Sequence, residues 1–170
     1  MPELMAPSTR LHAAWLEAHR EWGPGVHEDG FGLLPTDEVV SELGFARWVA
    51  RLTAENGVEG CTYRWIVEGD RVVGGIALRH SFTEFVRNAG HIGYGIRPSA
   101  RRRGLATWAL RRILDEARAR GMGRVLIVCA ADNVASAKTI ERRGGTLEGI
   151  RDTELGPARR YWVLLTEQGG

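Results

Sequence analysis

The chain has 170 residues, 44% of them hydrophobic, and a formal net charge of +2. That length suits one domain with a real core, spanning 1–170, and the small charge excludes the strong field of a dedicated polyanion binder. Cys61 and Cys129 stand far apart without metal spacing, so neither a disulfide framework nor a metal cluster is expected.

The start, MPELMAPSTRLHAAW, lacks a charged-then-apolar signal layout, and no apolar run approaches the roughly 18 residues of a membrane span. A cytoplasmic protein without a membrane partner is expected. Residues 3–7 suit a short strand ended by Pro7. Ser8 or Thr9 then caps a helix over 10–22, with Leu11, Trp15 and Ala18 on one stripe and GPG (23–25) ending it. A second helix is expected over 37–56, opened by Thr36 with Glu38 and Val39, its apolar side running through Val40, Leu43, Ala46 or Arg47, Val49 or Ala50 and Thr53. Gly44 weakens its middle by about 1 kcal/mol relative to alanine.

The period then changes. CTYRWIVE (61–68) and RVVGGIALRH (71–80) alternate around a Gly69-Asp70 turn and read as a hairpin. Residues 81–90 are polar and irregular. HIGYGIRP (91–98) is a glycine-rich strand stopped by Pro98. A helix over 103–120 buries Ala106, Leu110, Ile113, Leu114 and Ala117, and RVLIVCA (124–130) is a wholly apolar, parallel-type strand. Asp132 or Asn133 caps a helix to about Arg143, and TLEGIRDT with RRYWVLLTE closes the chain as a hairpin. The whole is an α/β fold around a right-handed β-α-β unit from 91 to 130.

Arg101, Arg102 and Arg103 fall where the helix after this strand begins, although cations oppose the positive N-terminal end of a helix dipole. Lys138 is the only lysine among 23 basic residues, and arginine grips phosphate through two parallel bonds. Gly104 lets a bulky anion approach the main chain, and the helix start aims backbone N–H groups at it. The physical reading is a phosphate or pyrophosphate held near residues 102–107. The alternative is a solvated arginine patch over an ordinary helix start.

The span from residue 91 to Gly145 resembles the Gcn5-related N-acetyltransferase (GNAT) superfamily. Its pyrophosphate loop, Arg/Gln-x-x-Gly-x-Gly/Ala, is matched by Arg101-Arg102-Arg103-Gly104-Leu105-Ala106 behind Pro98. Its second motif, an apolar strand followed by Asn-x-x-Ala/Ser and a Gly, is matched by VLIVCAADNVASAKTIERRGG with Asn133, Ser136 and Gly144. The resemblance implies a mixed, mostly antiparallel sheet of six to seven strands flanked by about four helices. It also implies an acetyl-CoA-dependent N-acetyltransferase, in which a small-molecule or peptide amine attacks the thioester directly in a ternary complex. No metal and no nucleic acid are implied. A homodimer is left open.

The resemblance further implies residue roles. A bulge at Gly93 or Gly95 exposes main chain to pantetheine, with the N–H of Tyr94 or Gly95 polarising the thioester carbonyl, and Ile96 and Arg97 contacting the arm. Arg101 to Ala106 and Thr107 hold pyrophosphate, Asn133 reaches pantetheine, and Ser136 sits nearer the phosphate. The family's tyrosine acid, four residues beyond Ser136, is replaced by Ile140, so water or Tyr161 must substitute, or the thiolate leaves unaided. His80, Glu84 and His91 are the candidate bases. Strand alternation puts His91 with Gly93 and Gly95, but does not say which face meets substrate. Cys129 reads as a small core hydrophobe. Residues 22–36, 80–90 and 152–161, with Trp22, Phe31, Phe82, Phe85 and Trp162, are expected to shape the acceptor groove.

Three other readings compete. GYGIRP has Pro98 where a dinucleotide fingerprint needs its third glycine, and no Walker loop occurs. An arginine-rich nucleic-acid module would use Arg101–Arg103, Arg111, Arg112, Arg118 and Arg120, but lacks interleaved aromatics. A CoA-binding regulatory protein without catalysis is kept open by Ile140.

Overall fold

The computed structural model describes residues 1–23, 30–56, 60–154 and 156–166. In chain order come β1 (Pro2–Met5), a 3-10 turn (Thr9–Leu11), α1 (His12–Trp22), α2 (Glu42–Ala54), β2 (Cys61–Glu68), β3 (Arg71–Arg79), α3 (Glu84–Ala89) and β4 (Ile92–Ile96). A 3-10 turn (Pro98–Ala100), α4 (Leu105–Ala119), β5 (Arg124–Ala130), α5 (Val134–Arg142), β6 (Thr146–Thr153) and β7 (Gly156–Leu164) follow. The strands form one sheet in the order β1-β2-β3-β4-β5-β7-β6, antiparallel throughout except between β4 and β5. The mixed sheet with a central β-α-β unit is therefore present. Parts of two expected stop signals, Pro24–Gly25 and Gly57, and the end of the last strand at Glu167 lie outside the described residues.

The strand period divides the core in two. One face of the sheet carries Ile76, Leu78, Ile92 and Ile127, and on it pack Leu105, Ala109, Leu110, Ile113, Leu114 and Ala117 of α4, with Ala137 and Ile140 of α5. Each large aliphatic chain buried this way contributes roughly 1.5–3 kcal/mol before conformational entropy is subtracted. The other face is aromatic: Trp15, Phe31, Phe45, Trp48 and Trp65 interlock beneath α1 and α2.

Two local expectations are corrected. α2 starts at Glu42, with the Ser41 hydroxyl accepting from Gly44 N–H at 3.0 Å. It buries Phe45, Trp48, Val49 and Leu52, while Val40 and Leu43 stay exposed. The 45-48-49-52 spacing is a complete helical stripe, and its aromatics outweigh the smaller residues of the other side. Gly44 lies in the first turn, where the Glu38 carboxylate and carbonyl pack so closely that a Cβ would collide with both. The second correction is α3 inside the segment read as irregular. The Thr83 hydroxyl accepts from Val86 N–H at 3.2 Å and caps it.

Candidate active site

The β4–β5 edge is the structural irregularity that matters. β4 pairs with β3 over five consecutive residues, without the bulge expected at Gly93 or Gly95. With β5 it shares a single ladder pair, Ile92↔Ile127. Beyond that pair the two strands part toward their C-terminal ends. Arg79 N–H donates to His91 O at 2.7 Å and Arg97 N–H to Val73 O at 2.8 Å. This phase turns the main chain of Gly93, Gly95 and Arg97 toward β3, and that of Tyr94 and Ile96 toward the opening. The main chain of Gly95, an expected carbonyl donor, and of Arg97, an expected pantetheine contact, is thus turned to β3, while that of Tyr94 and Ile96 faces the opening.

Arg97 has another task. Its buried guanidinium meets Glu17 at 2.8 Å and Glu21 at 3.0 Å, both on α1. Glu21 also accepts from Ser99 N–H and Oγ, at 2.9 and 2.7 Å. Hydrogen bonds from Arg97, then from Ser99, pull the Glu21 carboxyl down to about 2. This cluster ties α1 to the turn that leads into α4.

At that turn Gly104 is the left-handed N-cap of α4, with φ 77°, and gives no side-chain cap. Nothing lies within 4 Å of where its Cβ would be. The amides of Leu105, Ala106 and Thr107 are the first of the helix and have no intrahelical acceptor. The three arginines differ in role. Arg101 Nε donates to Ile96 O at 2.9 Å, Arg103 meets both Glu68 oxygens at 2.8 Å, and Arg102 is exposed with φ 64°. Open space above unpaired amides, ringed by guanidinium groups, suits a diphosphate in size and charge.

Across the opening, Asn133 caps α5 by accepting from Ser136 N–H at 3.1 Å through Oδ1. The Ser136 hydroxyl, expected nearer the phosphate, lies 2.5 Å from the Tyr94 phenol oxygen. Buried Cys129 has its thiol pushed up by burial, so it stays a neutral core group. Ile140 is wholly buried, and buried Tyr161 donates to Glu141 at 2.8 Å, which leaves neither to serve the opening.

His91 closes the narrow end of the opening. Its N–H donates to Leu126 O at 2.7 Å, and its Nδ1 accepts from Leu126 N–H at 2.9 Å. Nδ1 is the only basic lone pair of the neutral ring, so the proton sits on Nε2 and no free base remains. Phe82 stacks on the ring, and burial, then the Arg79 and Arg124 charges, lower its pKa to about 4. His91 is therefore a strand staple, and its expected role as base is withdrawn. His80 lies on the α4 face, with Nε2 2.7 Å from the Thr62 hydroxyl, which also receives Arg120 at 3.0 Å. Glu84 is exposed and helps line an open depression of about 560 Å3 with Phe82, Arg87, Asn88 and Arg151. Register explains the company: Arg151 pairs with Ala158, and Ala158 with Ala130 at the end of β5. Arg160 fastens the depression's wall, bonding Arg87 O and Glu148. Arg87, Asn88 and Arg151 were not singled out in the sequence because no motif marks them. Phe31 is core. Residues 24–29 and 155 of the expected groove lie outside the described residues.

A parallel strand pair that opens toward an uncapped, arginine-ringed helix start defines an acyl-CoA-type α/β transferase scaffold. The acetyltransferase (GNAT) domain family model matches residues 17–146, and the chain belongs to that family. No curated protein matches it. Among solved structures it is similar to Mycobacterium smegmatis RimJ in complex with CoA-disulfide, at 17% identity and TM-score 0.76, covering 100% of this chain and 88% of that one. It is similar to RimL, the ribosomal L7/L12 alpha-N-protein acetyltransferase, in complex with coenzyme A, at 19% identity and TM-score 0.74, covering 96% and 93%. The microcin C7 self-immunity acetyltransferase MccE, with acetyl-CoA and AMP, aligns at 17% identity and TM-score 0.71, covering 96% and 92%.

Proposed function

We propose that the protein is an acetyl-CoA-dependent N-acetyltransferase that passes the acetyl group directly to a primary amine in a ternary complex. The observation that carries this is the pairing of β4 with β5 at Ile92↔Ile127 alone, on the strand that leads in the chain to the bare Gly104 turn. Amides 105–107 and the arginines bind the diphosphate, and Asn133 with the Tyr94 and Ile96 main chain takes the pantetheine arm. Tyr94 N–H faces the thioester oxygen, where such a donor is worth about 3–4 kcal/mol of transition-state stabilisation in acyl transfer. The amine arrives from the α3 side. Its nitrogen attacks the acyl carbon as the C–S bond breaks, and Glu84 takes its proton through water in the depression. CoA in the RimJ and RimL structures supports the donor. The activity in RimL's name supports a peptide amine as acceptor.

The test is calorimetry with CoA and 3′-dephospho-CoA on the wild type and Gly104→Asp. Aspartate tolerates the left-handed region, so the fold is kept. Its carboxylate, about 4 Å from a phosphate, repels by about 4 kcal/mol at an effective dielectric of 20, and at least a tenfold loss of affinity is expected. Equal binding by Gly104→Asp would overturn the assignment. Thiol release from acetyl-CoA against amines and free-N-terminus peptides tests catalysis. Tight CoA binding with no release would favour the regulatory alternative.

A further inference from the structure

We propose that Tyr94 is the acid of the reaction, delivering its phenol proton to the departing thiolate, and that Ser136 positions the phenol and replenishes it. This rests on the acetyl-transfer reading above. Collapse of the tetrahedral adduct leaves a thiolate between two strands, where little water can solvate it. A proton donor there lowers the barrier. α5 directs the alkyl side chain of Ile140 into the core, and Tyr161 is engaged with Glu141. Neither supplies that proton.

Tyr94 is placed to do so. Its side chain shares a face with Ile92 and Ile96, the face that α4 and α5 cover. The Ile92↔Ile127 register sets Tyr94 level with Cys129, two residues beyond the last paired position. From β4 the phenol crosses the opening to α5, where its oxygen meets Ser136 Oγ at 2.5 Å. Ser136 also sits close enough to the Cys129 side chain on β5 to lower its thiol pKa against the larger effect of burial. Strand β4, strand β5 and helix α5 thus converge on one hydroxyl pair, half-buried at the level where the strands part.

The step balances. The amine nitrogen forms the C–N bond, and the C–S bond breaks with its electron pair going to sulfur. The Tyr94 O–H proton moves to sulfur, and Ser136 hands its own proton to the phenolate while accepting one from solvent. Either oxygen of the pair can donate, as a relay requires.

The experiment compares wild type, Tyr94→Phe, Ser136→Ala and Ser136→Thr. With CoA bound, thiolate absorbance is followed against pH. Donation by the phenol stabilises the thiolate, so Tyr94→Phe should raise the bound thiol's pKa while the CoA Kd stays within about twofold. In turnover, kcat of Tyr94→Phe should fall about 100-fold, with KM for acetyl-CoA nearly unchanged. Ser136→Ala should fall less, and Ser136→Thr should recover. An unchanged thiol titration in Tyr94→Phe overturns the proposal even if no acceptor is found. So does a change confined to CoA affinity, the mark of a simple latch. If the wild type does not bind CoA at all, the acetyl-transfer reading fails, and this inference with it.

Discussion

Replacing His91 by Gln removes one titrating group while Oε1 still accepts from Leu126 N–H. In the fold, burial and the Arg79 and Arg124 charges hold the imidazole at about 4, against 6.5 when free. The unfolded chain therefore binds this proton more readily. Stability is complete above pH 6.5, drains as pH falls toward 4, and the loss is constant below. Full protonation of the unfolded reference is worth about 3 kcal/mol, of which about 2 kcal/mol has gone by pH 5. The carboxylates of Glu17, Glu21 and Glu148 are held below the usual range, chiefly by hydrogen bonds from Arg97 or Arg160. Their contributions persist until pH drops under 4.5, so the window above pH 5 isolates the histidine. Urea unfolding followed by tryptophan fluorescence, at about pH 7.5 and about pH 5, measures both proteins. The wild type's advantage over His91→Gln should shrink by about 2 kcal/mol between those conditions. Parallel stability curves would show that His91 titrates normally and would reopen its candidacy as a base.

Gly44→Ala should destabilise the protein by about 1 kcal/mol or more, against the helix-propensity trend, because the new Cβ meets Glu38; chemical denaturation decides the sign. Arg103→Ala should cost under about 1 kcal/mol of fold stability, since its pair with Glu68 is half exposed, and should weaken CoA binding in calorimetry less than Gly104→Asp does. Glu84→Gln should lower kcat/KM about 100-fold in steady-state assays; an unchanged kcat/KM removes Glu84 as the base.

The local grammar of this chain was readable. Alternation, caps and glycine stops marked nearly every strand and helix, and residue type alone marked the Arg101–Ala106 turn and the Asn133 cap on which the proposed donor site is built. These features depend on neighbours a few residues apart, whose periodicity and backbone freedom are written in residue type. Where the reading erred, the cause was a contact between distant residues. His91 carries the composition of a base, but Leu126 occupies its lone pair. Arg97 was expected against the pantetheine arm, but Glu17 and Glu21 claim its charge. Tyr94 meets Ser136 only because β4 parts from β5 and α5 returns across the gap. Protonation state and partner depend on burial and on groups brought together from afar, and folding alone brings them together.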